Sequence, residues 1–383
     1  MILWVAVGVL AISVLLGLEA LLGTKRLGQL AGCPPLEPGG PAAPRVSIVV
    51  AARDEERSIE TAVSSMLRQD YPALEVVVVD DRSTDRTGPI LDQLAGLEPR
   101  LSVAHVAELP AGWLGKNHAL HRGAAQANGD WLLFADADVR MSPDAVSRAV
   151  RYARDNGIDH LAVLPDVRLP GLLLSAFVVH FFYSFVVFTK PWRARDPKSW
   201  FFVGVGAFNL VRRPAYDAVE GHRRLALRPD DDMKLGKVLK RAGYRQDLLL
   251  GFQLLSVEWY HSLGELVRGL EKNMFAGVDY RISLSIAGGL TQLMLGVAPL
   301  AAVPFVSGPS RLVLAAQILF SATIFTIMAA RARVPRAAGL LYPVASLLFV
   351  AILWRTMILN LAHGGLQWRG TFYPLRQLKA NRV

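Results

Sequence analysis

Apolar positions follow two different patterns along this chain. At the ends they form long unbroken runs. Residues 1–23 are interrupted only by Glu19, and residues 284–306, 312–330 and 337–361 form three further runs. Each approaches the about 20 residues that a helix needs to cross the hydrocarbon core of a bilayer. No basic residue precedes the first run, and Lys25 and Arg26 follow it at once. This pattern predicts an uncleaved anchor with the following chain on the cytoplasmic side. The basic connection at 331–336 is expected on that side too. Arg355 and Pro343 interrupt the last run, which reads either as a span or as a re-entrant segment. Residues 172–189 are apolar but rich in aromatics and carry His180, so a helix lying on or dipping into the membrane is expected, with a full span or a buried core helix as alternatives.

From Arg45 the pattern shortens and begins to alternate. VSIVVAA (46–52), EVVVVD (75–80), LSVAHV (101–106) and DWLLFAD (130–136) read as buried strands. Helical spacing is predicted over 54–69, 84–97 and 116–128, the last ending at a Gly129 cap. Ser142-Pro143-Asp144 is expected to open a further helix, with Pro in its first turn. Strands alternating with helices imply an α/β fold with a mostly parallel sheet covered on both faces. Ligands then bind beyond the carboxyl ends of the strands. The resulting organisation is an anchor (1–23), a linker (24–44) rich in Pro34, Pro35, Pro38, Pro41 and Pro44, a cytoplasmic domain (45–283) and a membrane domain with a basic tail (284–383). No internal repeat points to a solenoid.

Composition sharpens this picture. Of 383 residues, 52% are hydrophobic and 19% charged, below the about 25% charge of an ordinary soluble domain. That excludes disorder and argues against a purely soluble protein. The net charge is +10, and many of the basic residues sit near membrane ends rather than on one soluble face, which disfavours a nucleic-acid partner. Cys33 is the only cysteine, so a disulfide within the chain and a multi-cysteine zinc site are excluded.

Three acidic clusters carry candidate chemistry. Asp80-Asp81, followed by Ser83 and Asp85, ends the second strand, where carboxylates can accept from a base N–H or ribose hydroxyls, or simply cap the next helix. Asp136-Ala137-Asp138 ends the fourth strand. Residues i and i+2 of a strand point the same way, so both carboxylates can approach one hard cation, Mg2+ or Mn2+, completed by diphosphate oxygens; an ordinary acidic turn is the alternative. Asp230-Asp231-Asp232 is a run in which mutual repulsion favours one raised pKa, suited to a general base, or a helix start. Lys116 is placed to meet a phosphate, or to sit solvated at a helix start. Arg268 and Lys272 suit either catalysis or interfacial snorkelling.

Taken in order, Arg53-Asp54-Glu55, Asp80-Asp81-x-Ser83-x-Asp85, Gly112-Trp113-x-Gly115-Lys116, Asp136-x-Asp138 and Asp231-Asp232-x-x-Leu235 resemble the family 2 inverting glycosyltransferases of GT-A fold, over about residues 45–275. Trp259-Tyr260-x-Ser262 with Glu265, Gly269, Lys272 and Asn273, together with the apolar runs, is similar to the membrane-bound branch that includes hopene-associated and carotenoid (diaponeurosporenoate-type) glycosyltransferases. The resemblance implies that Ala52, Arg53 and Glu55 line a nucleotide pocket, that Asp80 and Asp81 hold base and ribose, and that Asp136 and Asp138 serve the metal and diphosphate. It further implies Asp232 as catalytic base beside Asp231, and Gly204, Gly206 and Asn209 around the sugar and acceptor. The implied ligands are a nucleotide-diphospho-sugar, foremost a UDP-sugar, a divalent metal and a membrane lipid acceptor. Members often have Asn where this chain has Asp54. The Q-x-x-R-W motif of processive synthases is absent from 258–273, which points to transfer of a single sugar. Polyprenyl-phosphate or glycolipid transfer, nucleotidyl transfer and a non-catalytic nucleotide-binding scaffold are the competing readings.

Overall fold

A computed structural model describes residues 1–37 and 43–383. Pro38 and Pro41 of the expected linker lie outside the described residues. The chain divides into two compact units: Leu27–Arg168 with Pro191–Glu258 and Ala380–Val383, and Met1–Arg26 with Leu169–Lys190 and Trp259–Lys379.

The first unit is built on strands β1 (Gly28–Gln29), β2 (Val46–Ala52), β3 (Leu74–Asp81), β4 (Leu101–Val106), β5 (Trp131–Asp136), β6 (Arg140–Met141), β7 (His160–Leu164), β8 (Asp166–Arg168), β9 (Asn209–Arg212), β10 (Gln246–Leu250) and β11 (Leu255–Glu258). Eight of them form one sheet in the order β1-β10-β7-β9-β5-β2-β3-β4. All pairings in it are parallel except those of β9, which runs antiparallel to both neighbours. β6, β11 and β8 form a small second sheet.

Alternation along β2 and β3 explains the layers. Ile48, Val50, Val76 and Val78 face one side, packed with Ile59, Val63 and Met66 of helix Ile59–Leu67 and with Val146, Ala149 and Ala153 of helix Ala145–Asp155. Val49 and Val77 face the other, against Leu120 and Ala124 of helix Gly115–Gln126 and Leu235, Val238 and Leu239 of helix Asp231–Arg241. Both faces are therefore buried, which is why these strands read as continuous β-branched runs.

Some boundaries differ from expectation. The helix expected to end at Gly129 ends at Gln126, because Ala127 is already extended. Gly129 serves β2 instead: its N–H donates to Ser47 Oγ at 2.7 Å, and a Cβ there would meet the Ser47 backbone N at 2.6 Å. Pro143 precedes the Asp144 cap rather than occupying the first turn of its helix. Within 24–44, Gly28–Gln29 pairs with β10, Leu30 is fully buried, and Arg148 donates to the carbonyls of Ala31 and Cys33. Sheet pairing thus orders a stretch whose prolines all come later.

The second unit gathers the apolar helices Ile2–Thr24, Leu172–Thr189, Ile282–Gly296, Ala298–Ala302, Gly308–Arg331 and Tyr342–Ala362. Among the described residues, four helices are long and apolar enough to cross a membrane, and a fifth span results if the pair 282–305, bent by 50°, is counted as one. The break in the C-terminal runs falls there, where a new helix starts at Ala298 with Pro299 in its first turn, and not at Pro343. Pro343 sits in the first turn of a continuous helix, where its missing N–H costs nothing. Arg355 on that helix pairs with Glu271 at 2.8 Å. Glu19, the one charge of the first run, holds Lys190 Nζ at 2.7 and 2.9 Å. Gln317 donates to Ser13 Oγ at 2.7 Å, one of the interhelical bonds that polar side chains make among apolar helices. Helix 172–189 packs against helices 2–24, 308–331 and 342–362, with Phe177, Val179 and His180 buried.

Candidate active site

Register brings the acidic strand ends together. Ala52 lies opposite Asp80, Ala51 opposite Asp136, and Asp80 opposite His105. The carboxyl ends of β2, β3 and β5 therefore share one rim.

On β3, Asp80 is buried. Its Oδ1 accepts from the Ser83 N–H at 3.2 Å and its Oδ2 meets His105 Nδ1 at 3.0 Å. The other nitrogen of His105 meets Asp92 at 2.9 Å. Bonding to Asp92 first, then Asp80, raises the His105 pKa against the opposing effect of partial burial. Asp81 is held by Arg82 at 2.8 and 3.1 Å, with Arg53 at 3.7 Å. A Cβ on Gly115 would fall 2.0 Å from Asp81 Oδ2, so only glycine lets the Lys116 helix start this close. The methyl of Ala52 lies in the core; only its backbone reaches the rim. Asp54 sits at φ 54°, a left-handed conformation that Asp and Asn tolerate best. Its Oδ1 accepts from the Thr84 N–H at 2.7 Å. Asn has the same acceptor, so Asp preserves the loop. Asp85 accepts from the Glu56 and Thr87 N–H groups at 3.1 and 2.9 Å and ties the two loops together just ahead of the helix that starts at Thr87.

Beside this, Lys116 Nζ donates to Asp136 Oδ1 at 2.8 Å and lies 3.7 Å from Asp231 Oδ2. Burial disfavours the ammonium, but Asp136, Asp231 and Asp232 outweigh it and raise its pKa, so Lys116 is charged. Asp138 titrates high, at about 7, because it is buried and faces the carboxylates of Asp136 and Glu55.

The triple acid splits into three environments. Asp230 is clamped by Arg228 through two bonds of 2.9 Å. Asp231 is 4% exposed, between Lys116 and His222. Asp232 accepts from the Gly206 N–H at 2.8 Å and from the Met233 N–H at 2.7 Å. Its pKa is raised, first by burial and further by Asp136 and Asp230, while Lys116 and the Met233 N–H work the other way. Lys116, Asp136, Gly206, His222, Asp231 and Asp232 all line one small pocket. Asn209 lines it too, with its Oδ1 2.5 Å from His160 Nε2.

His222 was not legible as a site residue. It is buried, bonded through Nδ1 to the Tyr216 hydroxyl at 3.0 Å and set edge-on to Phe134, and burial, Lys116 and His121 push its pKa down to about 3. The local signal was Gly221, at φ 45° under the Tyr216 ring.

The second unit holds the other motif. Ser262 Oγ accepts from the Glu265 N–H at 3.2 Å, and Glu265 reaches back to the His261 N–H at 2.9 Å. This is a capping arrangement for helix Leu263–Leu270. Gly269 lies under Tyr260, where a Cβ would come 2.4 Å from the ring. Lys272 stands over Trp368 at 5.0 Å.

Residues 47–219 match the family described as Glycosyl transferase family 2. This part of the chain is a family 2 glycosyltransferase domain. The match covers the strand-end acids but stops short of Asp231 and Asp232. Among relatives, the domain is 39% identical over 147 residues to a beta-monoglucosyldiacylglycerol synthase of Synechocystis sp., covering 37% of this chain and 30% of that protein. The chain is 24% identical over 239 residues to a 4,4'-diaponeurosporenoate glycosyltransferase of Staphylococcus haemolyticus, covering 61% of this chain and 62% of that one. It thus spans less than two thirds of either relative. A mannosyltransferase from Pyrobaculum calidifontis, solved in complex with GDP-Man and Mn2+, has the same fold at 19% identity, with a TM-score of 0.60 over 93% of this chain and 99% of that one.

Proposed function

We propose that this chain is a membrane-bound inverting glycosyltransferase that moves one sugar from a nucleotide-diphospho-sugar to a lipid acceptor, with its sheet unit on the cytoplasmic side. The observation that carries the reading is the convergence of Asp136, Lys116, Asp231 and Asp232 on one pocket at the carboxyl ends of the parallel strands. The named activities of the two relatives, on a diacylglycerol lipid and a carotenoid, support the lipid acceptor.

In this reading Asp80 and Asp81 hold the nucleoside, with Arg53 and Glu55 beside them. Among the described residues no group of three or more His, Cys, Asp or Glu side chains is placed to hold a metal ion. The donor set nevertheless fits a hard cation shared with the donor diphosphate. Asp136 and Asp138 offer carboxylate oxygens, and Asp138, raised first by burial, also faces the carboxylates of Asp136 and Glu55, whose charge a cation would relieve. A bound Mg2+ or Mn2+ would neutralise charge on the diphosphate. Lys116 supplies a fixed positive charge at the same place. Asp232, oriented by the Gly206 and Met233 N–H groups, takes the proton of the acceptor hydroxyl. The acceptor oxygen bonds to the anomeric carbon, the carbon–phosphate oxygen bond breaks on the opposite face, and nucleoside diphosphate leaves. Its raised pKa brings Asp232 closer to the operating pH, which favours general-base work.

The test is release of nucleoside diphosphate from UDP- and GDP-sugars by purified protein with a membrane lipid extract. Asp232→Asn keeps the shape and should lower transfer about 10²–10⁴-fold, with nucleotide affinity nearly unchanged. Release of inorganic diphosphate would indicate nucleotidyl transfer instead. Binding of donor without any turnover would leave the scaffold reading.

A further inference from the structure

The segment that leads into Asp231 and Asp232 contains one short helical turn, Gly221–Arg224, and is otherwise irregular up to the Asp230 cap. An irregular segment beside a buried site must find hydrogen-bond partners for its backbone. Here distant side chains supply them. Asn117, next to Lys116, donates through Nδ2 to the Leu225 carbonyl at 2.5 Å and the Arg228 carbonyl at 2.9 Å. The Leu114 N–H donates to the Ala226 carbonyl at 2.8 Å. Two further groups meet Asn381. Its Oδ1 accepts from the Leu227 N–H at 3.0 Å, and its Nδ2 donates to the Arg224 carbonyl at 3.0 Å. A side-chain amide is suited to this, since it offers an acceptor and a donor on one rigid plane. Two residues on, Val383 packs against the cluster that contains Leu225, Leu235 and Leu239, the last two on the helix that starts with Asp231 and Asp232.

We propose that Asn381 is a positioning residue for transfer. It fixes Arg224 and Leu227, and Asn117 fixes the Leu225 and Arg228 carbonyls of the same stretch. Arg228 then grips Asp230, and Asp231 and Asp232 are delivered to Lys116 and to the Gly206 N–H. This rests on the transferase reading above. None of these bonds involves Asp80 or Asp81, so loss of Asn381 should act on turnover and spare nucleotide binding.

The experiment uses the full chain with the donors and lipid extract named above, and compares Asn381→Ala and Asn381→Asp with the parent. Misplacing a reacting group by an ångström costs up to about 100-fold. The expected result for Asn381→Ala is a kcat lower by about 10- to 100-fold with donor KM changed less than about twofold. Amide hydrogen exchange should accelerate over 224–233. Asn381→Asp keeps the acceptor for Leu227 but loses the donor to Arg224, so it should fall between. Parental kcat in Asn381→Ala overturns the proposal. So does an equal loss of donor affinity and thermal midpoint, which would mark a general support of the fold. If the parent itself turns over no nucleotide sugar, the transferase reading fails. The exchange data still decide the clamp, and unchanged exchange over 224–228 in Asn381→Ala refutes it.

Discussion

Single residues in this site are sorted by the company they keep. Asp138 is raised first by burial and then by the carboxylates of Asp136 and Glu55, against which Lys116 works only in part, while Asp136 is bonded to Lys116 directly. Asp138→Ala should therefore weaken Mn2+ binding in the presence of nucleoside diphosphate at least about tenfold. It should leave the thermal midpoint near that of the parent, which titration calorimetry and thermal unfolding would check together. His105 allows a pH argument. Both of its ring nitrogens meet carboxylates, and its pKa is raised. A group whose folded pKa lies above its unfolded value contributes stability that is complete below the ordinary value of about 6.5. That contribution is lost as pH rises through the folded pKa. The thermal midpoint of the parent should fall relative to His105→Gln across that window, and parallel curves for the two proteins would contradict the argument. The ring is half exposed, so the effect is modest.

Among elements, the decisive contact is between the irregular segment 203–206 and helix Asp231–Arg241. A Cβ on Gly236 would stand 1.6 Å from the Val203 carbonyl oxygen, and one on Gly204 would stand 1.9 Å from the Asp232 carbonyl oxygen. The two backbones lie against each other with no room for a side chain between them, and this closeness lets the Gly206 N–H reach Asp232. Gly236→Ala must push them apart. It should cost about 1–3 kcal/mol by thermal or denaturant unfolding and reduce transfer as well. Gly96, on helix Thr87–Leu97, has nothing within 4 Å of its Cβ position. Gly96→Ala should leave stability unchanged or raise it by up to about 1 kcal/mol, since alanine favours the helix.

At the scale of the whole molecule, the apolar helices are held by polar contacts as well as packing. Glu19 with Lys190, Gln317 with Ser13 and Arg355 with Glu271 link segments far apart in the chain. Four or five helices of membrane-crossing length predict that the protein remains with the membrane pellet after an alkaline carbonate wash. Removing 284–383 should weaken that retention without abolishing it, because the helix Ile2–Thr24 remains. Recovery of the full chain in the supernatant would refute the membrane reading.

The hydrophobic pattern alone determined the strands at 46–52, 101–106 and 131–136, the helix at 172–189 and the acids at the strand ends. In each case the information is local: a β-branched run buried on both faces, an apolar stretch of fixed length, a carboxylate where a strand stops. It also ordered the motifs well enough to indicate the family. The tertiary structure decided what depends on distant partners. It placed the helix break near Val297–Pro299 rather than at Pro343, and it ordered Gly28–Gln29 by pairing them with β10. It showed Ser262 and Glu265 as a helix cap, and it separated Asp230, tied to Arg228, from Asp232, tied to Gly206. His222 and Asn381 enter the site region only there, because their partners lie in other parts of the fold and hydrogen bonding between residues 227 and 381 leaves no trace in local spacing.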